Sequence, residues 1–522
     1  MPDLADLESK VRTALDNAGY DVAEGRADLF TVAGTEKLVP AFNTCFGNNP
    51  AAPYIVPAVP HRPGEAYDYG KSMRSDNDDD LYWTYRLEEN EAIIMFGNLP
   101  PEAAFIGYET FLFTRYFDGE DVTRPEMDWL SDTNGLQQHL SHHPDNLLYD
   151  KAPVARGTGK KEKYDNDPNR VILFANGPTI NRRTLERQIG THFWGQQAIF
   201  STSPDAGFKA ALDAELEDGL AGIHVHSPLG ADLKLGLTRN DDDFWTLMRY
   251  AVPNPDNKDA SNDWREDVAN QLVVLRVSKR APGTVVRHPS FTFEEPKANT
   301  EERYLAADLQ KVADAVHSEL DFGEGSTQEL CLPLSNIPLH APHTVPLAMS
   351  AVGATHDADY RTSSARSFGS EEVFAVVGVN HTKTHNASYV SLGIYDASIW
   401  QGVRGVSQGR GYPGPLTDSA SQFFELVGGV PESLAGVDLS KFYVHLLTRP
   451  NGGLDKKLMK SEICTVIKAK GSEDDVVLPL RKPIRITSRA YLNPHPDAAC
   501  APDHTKLLSM IMIVKGADAS DD

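Results

Sequence analysis

With 522 residues, 40% hydrophobic and 24% charged, the chain has a globular composition and is too long for one core, so two domains are expected. Its 74 acids against 50 bases leave a net charge of −24, which sets most of the surface against nucleic acid and anionic membranes and removes both as expected partners. The first residues carry acids where a signal peptide has a basic start, no stretch is long and apolar enough to span a bilayer, and Cys45, Cys331, Cys464 and Cys500 form no CxxC pair. A cytoplasmic protein with reduced thiols is expected.

In chain order, residues 3–17 place Leu4, Leu7, Val11, Ala14 and Leu15 at helical spacing, with Gly19 as a stop. Leu81, Trp83, Tyr85 and Leu87 alternate as a strand does, and 92–96 and 105–117 continue the pattern across a Gly-Asn-Leu-Pro-Pro connector. Strands are expected at 171–175, 223–227, 233–237 and 272–277, and helices at 184–200 and 204–220, the second capped by Ser203. Prolines and turn residues at 280–296 mark a domain boundary, followed by a helix at 301–320 whose Leu305, Leu309, Val312, Val316 and Leu320 form one stripe, capped by Asn299 or Thr300.

Beyond it, 373–379 and 389–395 read as the two strands of a hairpin, with His381 and His385 on the shoulders of its loop. The order of apolar strand, Gly and Asn, loop and aromatic strand echoes 92–117, as a duplicated β domain would. A short helix at 419–427 and strands at 442–447, 464–468, 484–486 and 507–514 complete the chain. Strands outnumber helices without regular strand–helix–strand alternation. The expected fold is therefore mostly β with added helices (α+β): two antiparallel sandwich or barrel-like units joined by a long helix. Residues 1–298 form the first domain and 299–522 the second, helix 301–320 leading its β-rich unit.

The most concrete chemistry in the sequence is metal binding. His224 and His226 stand two apart on an expected strand, so both point to one face with Cα atoms about 7 Å apart, within reach of one ion. His340 with His343 and His381 with His385 are further pairs, suited to Fe, Cu or Zn. Glu109 is a candidate ligand or general base, and Arg404 or Arg410 a candidate anchor for an anionic substrate group. With 17 histidines present, close pairs also arise by chance, and a strand histidine is commonly a half-buried hydrogen-bonded side chain.

Ser407 sits in a G-x-S-x-G match that His445 and Asp418 could complete in space as a Ser–His–Asp set, but the glycines and prolines that follow it do not start the helix a nucleophile elbow needs. The expected function is an enzyme acting on a small molecule through a His-bound transition metal, with redox or oxygen chemistry ahead of hydrolysis. A non-catalytic β-sandwich binding or assembly protein with structural histidines is the alternative, and a serine hydrolase using Ser407 the third reading.

Overall fold

Runs such as AIIMFG at 92–97 and VFAVVG at 373–378 have no polar side chain to turn towards water, so they extend as strands buried on both faces. In the computed structural model they are the middle strands of two sheets. The structure describes residues 3–39, 45–67, 69, 71–116, 169–175, 177–217, 219–281, 283–290, 299–323, 326–333, 355–471 and 476–515. The chain divides into two compact units: unit 1 is Met1–Gly47, Ala52–Glu294 and Ile337–His356, and unit 2 is Asn48–Ala51, Glu295–Asn336 and Asp357–Asp522.

Unit 1 contains β1 (Tyr20–Glu24), β2 (Arg26–Phe30), β3 (Tyr54–Pro60), β4 (Glu91–Asn98), β5 (Ala103–Tyr116), β6 (Asn169–Ala175), β7 (Gln197–Ser203), β8 (His224–Pro228), β9 (Asp243–Pro253) and β10 (Leu272–Lys279). They form one sheet in the order β1-β10-β4-β7-β8 and a second in the order β2-β3-β9-β5-β6. Unit 2 contains β11 (Thr327–Leu330), β12 (Leu332–Pro333), β13 (Ala358–Thr362), β14 (Val373–Val379), β15 (Tyr389–Asp396), β16 (Gln401–Gly409), β17 (Phe442–Thr448), β18 (Cys464–Val466), β19 (Pro483–Tyr491) and β20 (Ile511–Val514). Its sheets run β11-β20-β14-β17-β18 and β12-β13-β19-β15-β16, the order of unit 1 with ten added to each label. Pairing sense repeats too: β7–β8 and β17–β18 are parallel, and the other pairs in these sheets are antiparallel. Further two-residue strands pair with β3, β5, β9 and β19, and among the described residues neither unit closes into a barrel. The fold is thus α+β, mostly β, with one topology used twice.

Side chains repeat with the topology. Arg249 on β9 lies opposite Tyr54 and over the rings of Tyr54 and Phe111; Arg489 on β19 lies opposite Tyr360 and over Tyr360 and Tyr395. Three residues after each arginine the backbone turns left-handed, at Val252 (φ 55°) and Leu492 (φ 51°), a conformation that bulky side chains resist.

Helices cover one face of the first sheet in each unit. α1 (Leu4–Asn17), capped by Asp3, packs Leu7, Val11 and Leu15 on Ile94, Phe96 and Leu275. α2 (Arg182–Gln188) follows, and α3 (Phe208–Glu215) lies in the crossover between β7 and β8, adding Phe208 and Leu212 to that core. In unit 2, α4 (Ala306–Glu319) and α5 (Ser419–Val427) press Leu309, Val312, Val316, Phe423 and Phe424 onto Val373, Ala375 and Val377. Each such side chain contributes roughly 1.5–3 kcal/mol when taken from water. α6 (Lys456–Met459) lies in the β17–β18 crossover.

Between the sheets the units differ. Unit 1 places Tyr108 against Phe200 and joins Thr110, Thr202 and Thr246 by hydrogen bonds, whereas unit 2 has Val376, Leu392, Ile394, Leu447 and Ile486.

Several expectations change. β14 and β15 are not a hairpin: β14 pairs with β17 and β20, and β15 with β16 and β19, so the histidine loop carries the chain from one sheet to the other. β4 and β5 are likewise in separate sheets: β4 pairs with β7 and β10, and β5 with β6 and β9. The helix expected at 184–200 ends at Gln188 and gives way to β7. Ser203 ends that strand, Gly207 stands at the α3 N-cap, and 233–237 forms no strand. α4 starts late because Asn299 and Thr300 are bound to Asn386 instead of capping it, and it packs into the core of unit 2. Among the described residues no helix is long and apolar enough to cross a membrane.

Candidate functional site

Register brings together side chains far apart in sequence. On β7, Ile199 turns towards α1 and α3, and Ser201, two residues on, shares that face. Parallel pairing sets His224 opposite Ile199 and His226 opposite Ser201, so both imidazoles stand on the same face. The crossover then returns over them as α3, which brings Asp213 to one side and the ring of Phe208 to 6.1 Å from that of His226.

The result is a chain of contacts. Asp213 Oδ1 is 2.5 Å from His224 Nδ1, His224 Nε2 is 2.7 Å from Ser201 Oγ, Oγ is 2.8 Å from His226 Nδ1, and His226 Nε2 is 3.3 Å from His288 Nε2. Ser201 and His224 are fully buried, while His226, His288 and Asp213 are partly exposed. Burial pushes the Asp213 carboxyl up, but its bonds to His224 and Lys209 outweigh this and hold it below its ordinary range. Burial lowers His224 against the pull of Asp213, and lowers His226, with help from His224 and His288, to about 3; His288 is lowered by burial as well.

Three neutral rings beside a carboxylate allow one consistent set of donors. His224 Nδ1–H donates to Asp213, which leaves Nε2 to accept the Ser201 hydroxyl; Oγ then accepts His226 Nδ1–H, and His226 Nε2 accepts from His288 Nε2–H. Every bond in the chain is satisfied without a charged imidazole.

Unit 2 shows that the fold does not require this chain. Gly97 and Gly378 are each the last but one residue of the middle strand, β4 and β14; Ile94, three residues before the first, pairs with Ser201, and Ala375, three before the second, pairs with Leu446. Leu446 in turn pairs with Cys464, where unit 1 pairs Ser201 with His226. Leu446, Ile463 and the α6 residue Leu458 belong to an apolar core. The same architecture thus packs well with hydrocarbon where unit 1 carries serine, histidine and aspartate.

His224 and His226 come together as expected, but around a serine. Among the described residues no group of three or more His, Cys, Asp or Glu is placed to hold one metal ion. His340 and His343 lie outside the described residues. In unit 2, His381 Nδ1 binds Glu302 Oε1 at 2.9 Å, whereas His385 is exposed and left-handed at φ 61°. Glu109 is fully buried, with Oε2 3.1 Å from Arg249 and Oε1 3.1 Å from His356. Burial pushes its carboxyl up, but these partners bring it below its ordinary range.

Arg404 is exposed on β16 and Arg410 exposed in the turn after it. Ser407 lies inside β16 rather than at an elbow, and the expected partners point elsewhere: His445 binds Thr465 Oγ1 at 2.9 Å, and Asp418 has Lys383 at 3.9 Å. Ser201, Asp213 and His288 were not singled out in the sequence. The alternation of Ile199, Ser201 and Ser203 with Phe200 and Thr202 was the available signal, since a strand there puts Ser201 beside a histidine-bearing strand.

No family model matches the chain, and no curated protein matches it. Two solved structures align over most of its length: the VPA0106 protein from Vibrio parahaemolyticus, at 10% identity and a TM-score of 0.30 over 83% of this chain and 87% of that one, and an uncharacterised protein from Burkholderia cenocepacia, at 9% identity and 0.32 over 97% and 86%. Similarity at that level carries no argument about fold or function.

Proposed function

We propose that the protein is an enzyme of the serine-nucleophile class, hydrolysing a small ester-like substrate by acyl transfer in unit 1. The carrying observation is the order Asp213–His224–Ser201, with hydrogen bonds of 2.5 and 2.7 Å, the arrangement that activates a hydroxyl. In this reading Ser201 Oγ attacks the substrate carbonyl while its proton passes to His224 Nε2, and Asp213 stabilises the imidazolium. His224 then gives the proton to the leaving alcohol, and water, deprotonated by the same ring, releases the acid. His226 Nδ1–H, 2.8 Å from Oγ, is the donor beside the developing charge.

Because Ser201 is buried beneath α3, the reading requires that helix to shift for a substrate to enter. A cytoplasmic location is in keeping with Cys45, Cys331, Cys464 and Cys500, which form no disulfide among the described residues.

The test is labelling of the folded protein by a fluorophosphonate, with the modified peptide identified by mass spectrometry. Phosphonylation at Ser201, lost in Ser201→Ala and His224→Gln, is the expected result. An unmodified Ser201, or modification that persists in His224→Gln, overturns the proposal.

A further inference from the structure

We infer that the paired Nε2 atoms of His226 and His288 form a binding site for a divalent transition-metal ion such as zinc, at the partly exposed end of the serine–histidine chain. Their separation is 3.3 Å, and the ring centroids are 5.4 Å apart, so the rings meet nitrogen to nitrogen rather than face to face. A hydrogen bond would be long at that distance. Two imidazoles on one tetrahedral ion, with metal–nitrogen bonds of about 2.05 Å, stand about 3.3 Å apart. This pair differs from the His224–His226 pair that sequence spacing suggests, because His224 Nε2 is taken by Ser201.

The tautomer of His226 already suits a ligand. Its Nδ1–H is committed to Ser201 Oγ, which leaves the Nε2 lone pair facing His288. A metal-binding histidine ordinarily fixes its ring by donating its other N–H to an outer partner, and here those partners continue through Ser201 and His224 to the carboxylate of Asp213. On binding, His288 moves its proton from Nε2 to Nδ1, so both rings stay neutral and no proton is lost. Two imidazoles are one protein ligand fewer than a catalytic zinc site ordinarily has, so water would fill the remaining positions. The bound ion draws electron density from His226 and strengthens its N–H donation to Ser201 Oγ. This consequence rests on the serine reading, whereas the metal site does not.

The experiment is calorimetric titration of Zn²⁺ into chelator-treated full-length protein. One ion per chain is expected for the wild type, with affinity reduced by at least ~100-fold in His226→Ala and in His288→Ala, and by ~10–100-fold in Asp213→Asn through the outer partners. His288 is partly exposed and outside any strand or helix, held by an isolated bridge to Gly230 through its backbone, so its variant is expected to keep the fold and remains the deciding one. Absence of zinc binding in the wild type, or undiminished affinity in His288→Ala, overturns the inference. If zinc fails to bind while a fluorophosphonate still labels Ser201, the metal site falls and the serine reading stands; binding without labelling gives the reverse.

Discussion

Glu302 gives the sharpest stability prediction. Its carboxylate is fully buried and accepts four hydrogen bonds: from His381 Nδ1–H at 2.9 Å, Thr384 Oγ1 at 2.6 Å and Asn386 Nδ2 at 2.8 Å on one oxygen, and from the Leu508 N–H at 2.9 Å on the other. These contacts fasten the loop between β14 and β15 to the segment that precedes α4. Burial pushes the carboxyl up, but His381, Thr384 and the Leu508 amide outweigh it and bring the group from 4.5 down to about 2. At ~1.4 kcal/mol per pKa unit, that shift is worth about 3 kcal/mol at neutral pH. Because the folded value is the depressed one, the contribution is complete above 4.5 and is lost as pH falls through about 2.

Glu302→Gln keeps the shape, removes the charge and turns an N–H donor towards groups that are themselves donors. Unit 2 should then lose about 3 kcal/mol at pH 7 and less than half of that at pH 3. Hydrogen-exchange mass spectrometry of peptides covering 373–396, at stepped urea concentrations and both pH values, reads the loss. Equal stability of the two proteins at pH 7, or a deficit that does not shrink at pH 3, would refute the reasoning.

Two further predictions concern buried carboxylates of unit 1. Asp243 is buried, and burial, opposed by Arg86, raises its carboxyl from 3.8 to about 6, so its stabilising effect is complete below 3.8 and lost by about 6. Asp243→Asn should therefore raise the urea midpoint at pH 7.5, by up to ~3 kcal/mol of stability, and confer no advantage below pH ~4; a lowered midpoint at pH 7.5 counts against it. Glu109→Ala removes the carboxylate beside the buried Arg249 guanidinium and should cost ~3–5 kcal/mol by calorimetry. An unchanged melting temperature would return Glu109 to the candidates for catalysis.

Apolar runs and their lengths were enough to reveal the strand content and most individual strands. Residues 442–447, for example, have no plausible partner but a sheet, and β17 covers them. Helix 419–427 was equally legible from its period, and α5 matches it. Partnership was not legible. Consecutive strands buried on both faces are equally compatible with one sheet or two, and only tertiary pairing decides that 373–379 and 389–396 separate. The candidate site shows the same limit. His224 and His226 could be placed on one face by alternation alone, but Ser201 and Asp213 reach them through a parallel register and a crossover helix. The first half of Gln197–Ser203 also lies in the helix expected at 184–200, so no strand was foreseen there and its serine was not set beside the histidines. His288 sits in a stretch with no period to read.

The order of strands also sets a timetable for synthesis. β1 finds its partner only when β10 exists, in a register that joins Tyr20 to Lys279 across 279 − 20 = 259 residues. At ribosomal rates of about 5–20 residues per second, the first strand waits on the order of 10–50 s. Meanwhile β4, which pairs with β7 and β10, has no earlier strand of its own sheet to bond except β1, which in the finished sheet lies beyond β10. Unit 2 repeats the delay on a smaller scale, joining Thr327 to Val514 across 514 − 327 = 187 residues. Contacts this distant along the chain close slowly and leave apolar strands bare in the interval, once for each repeat.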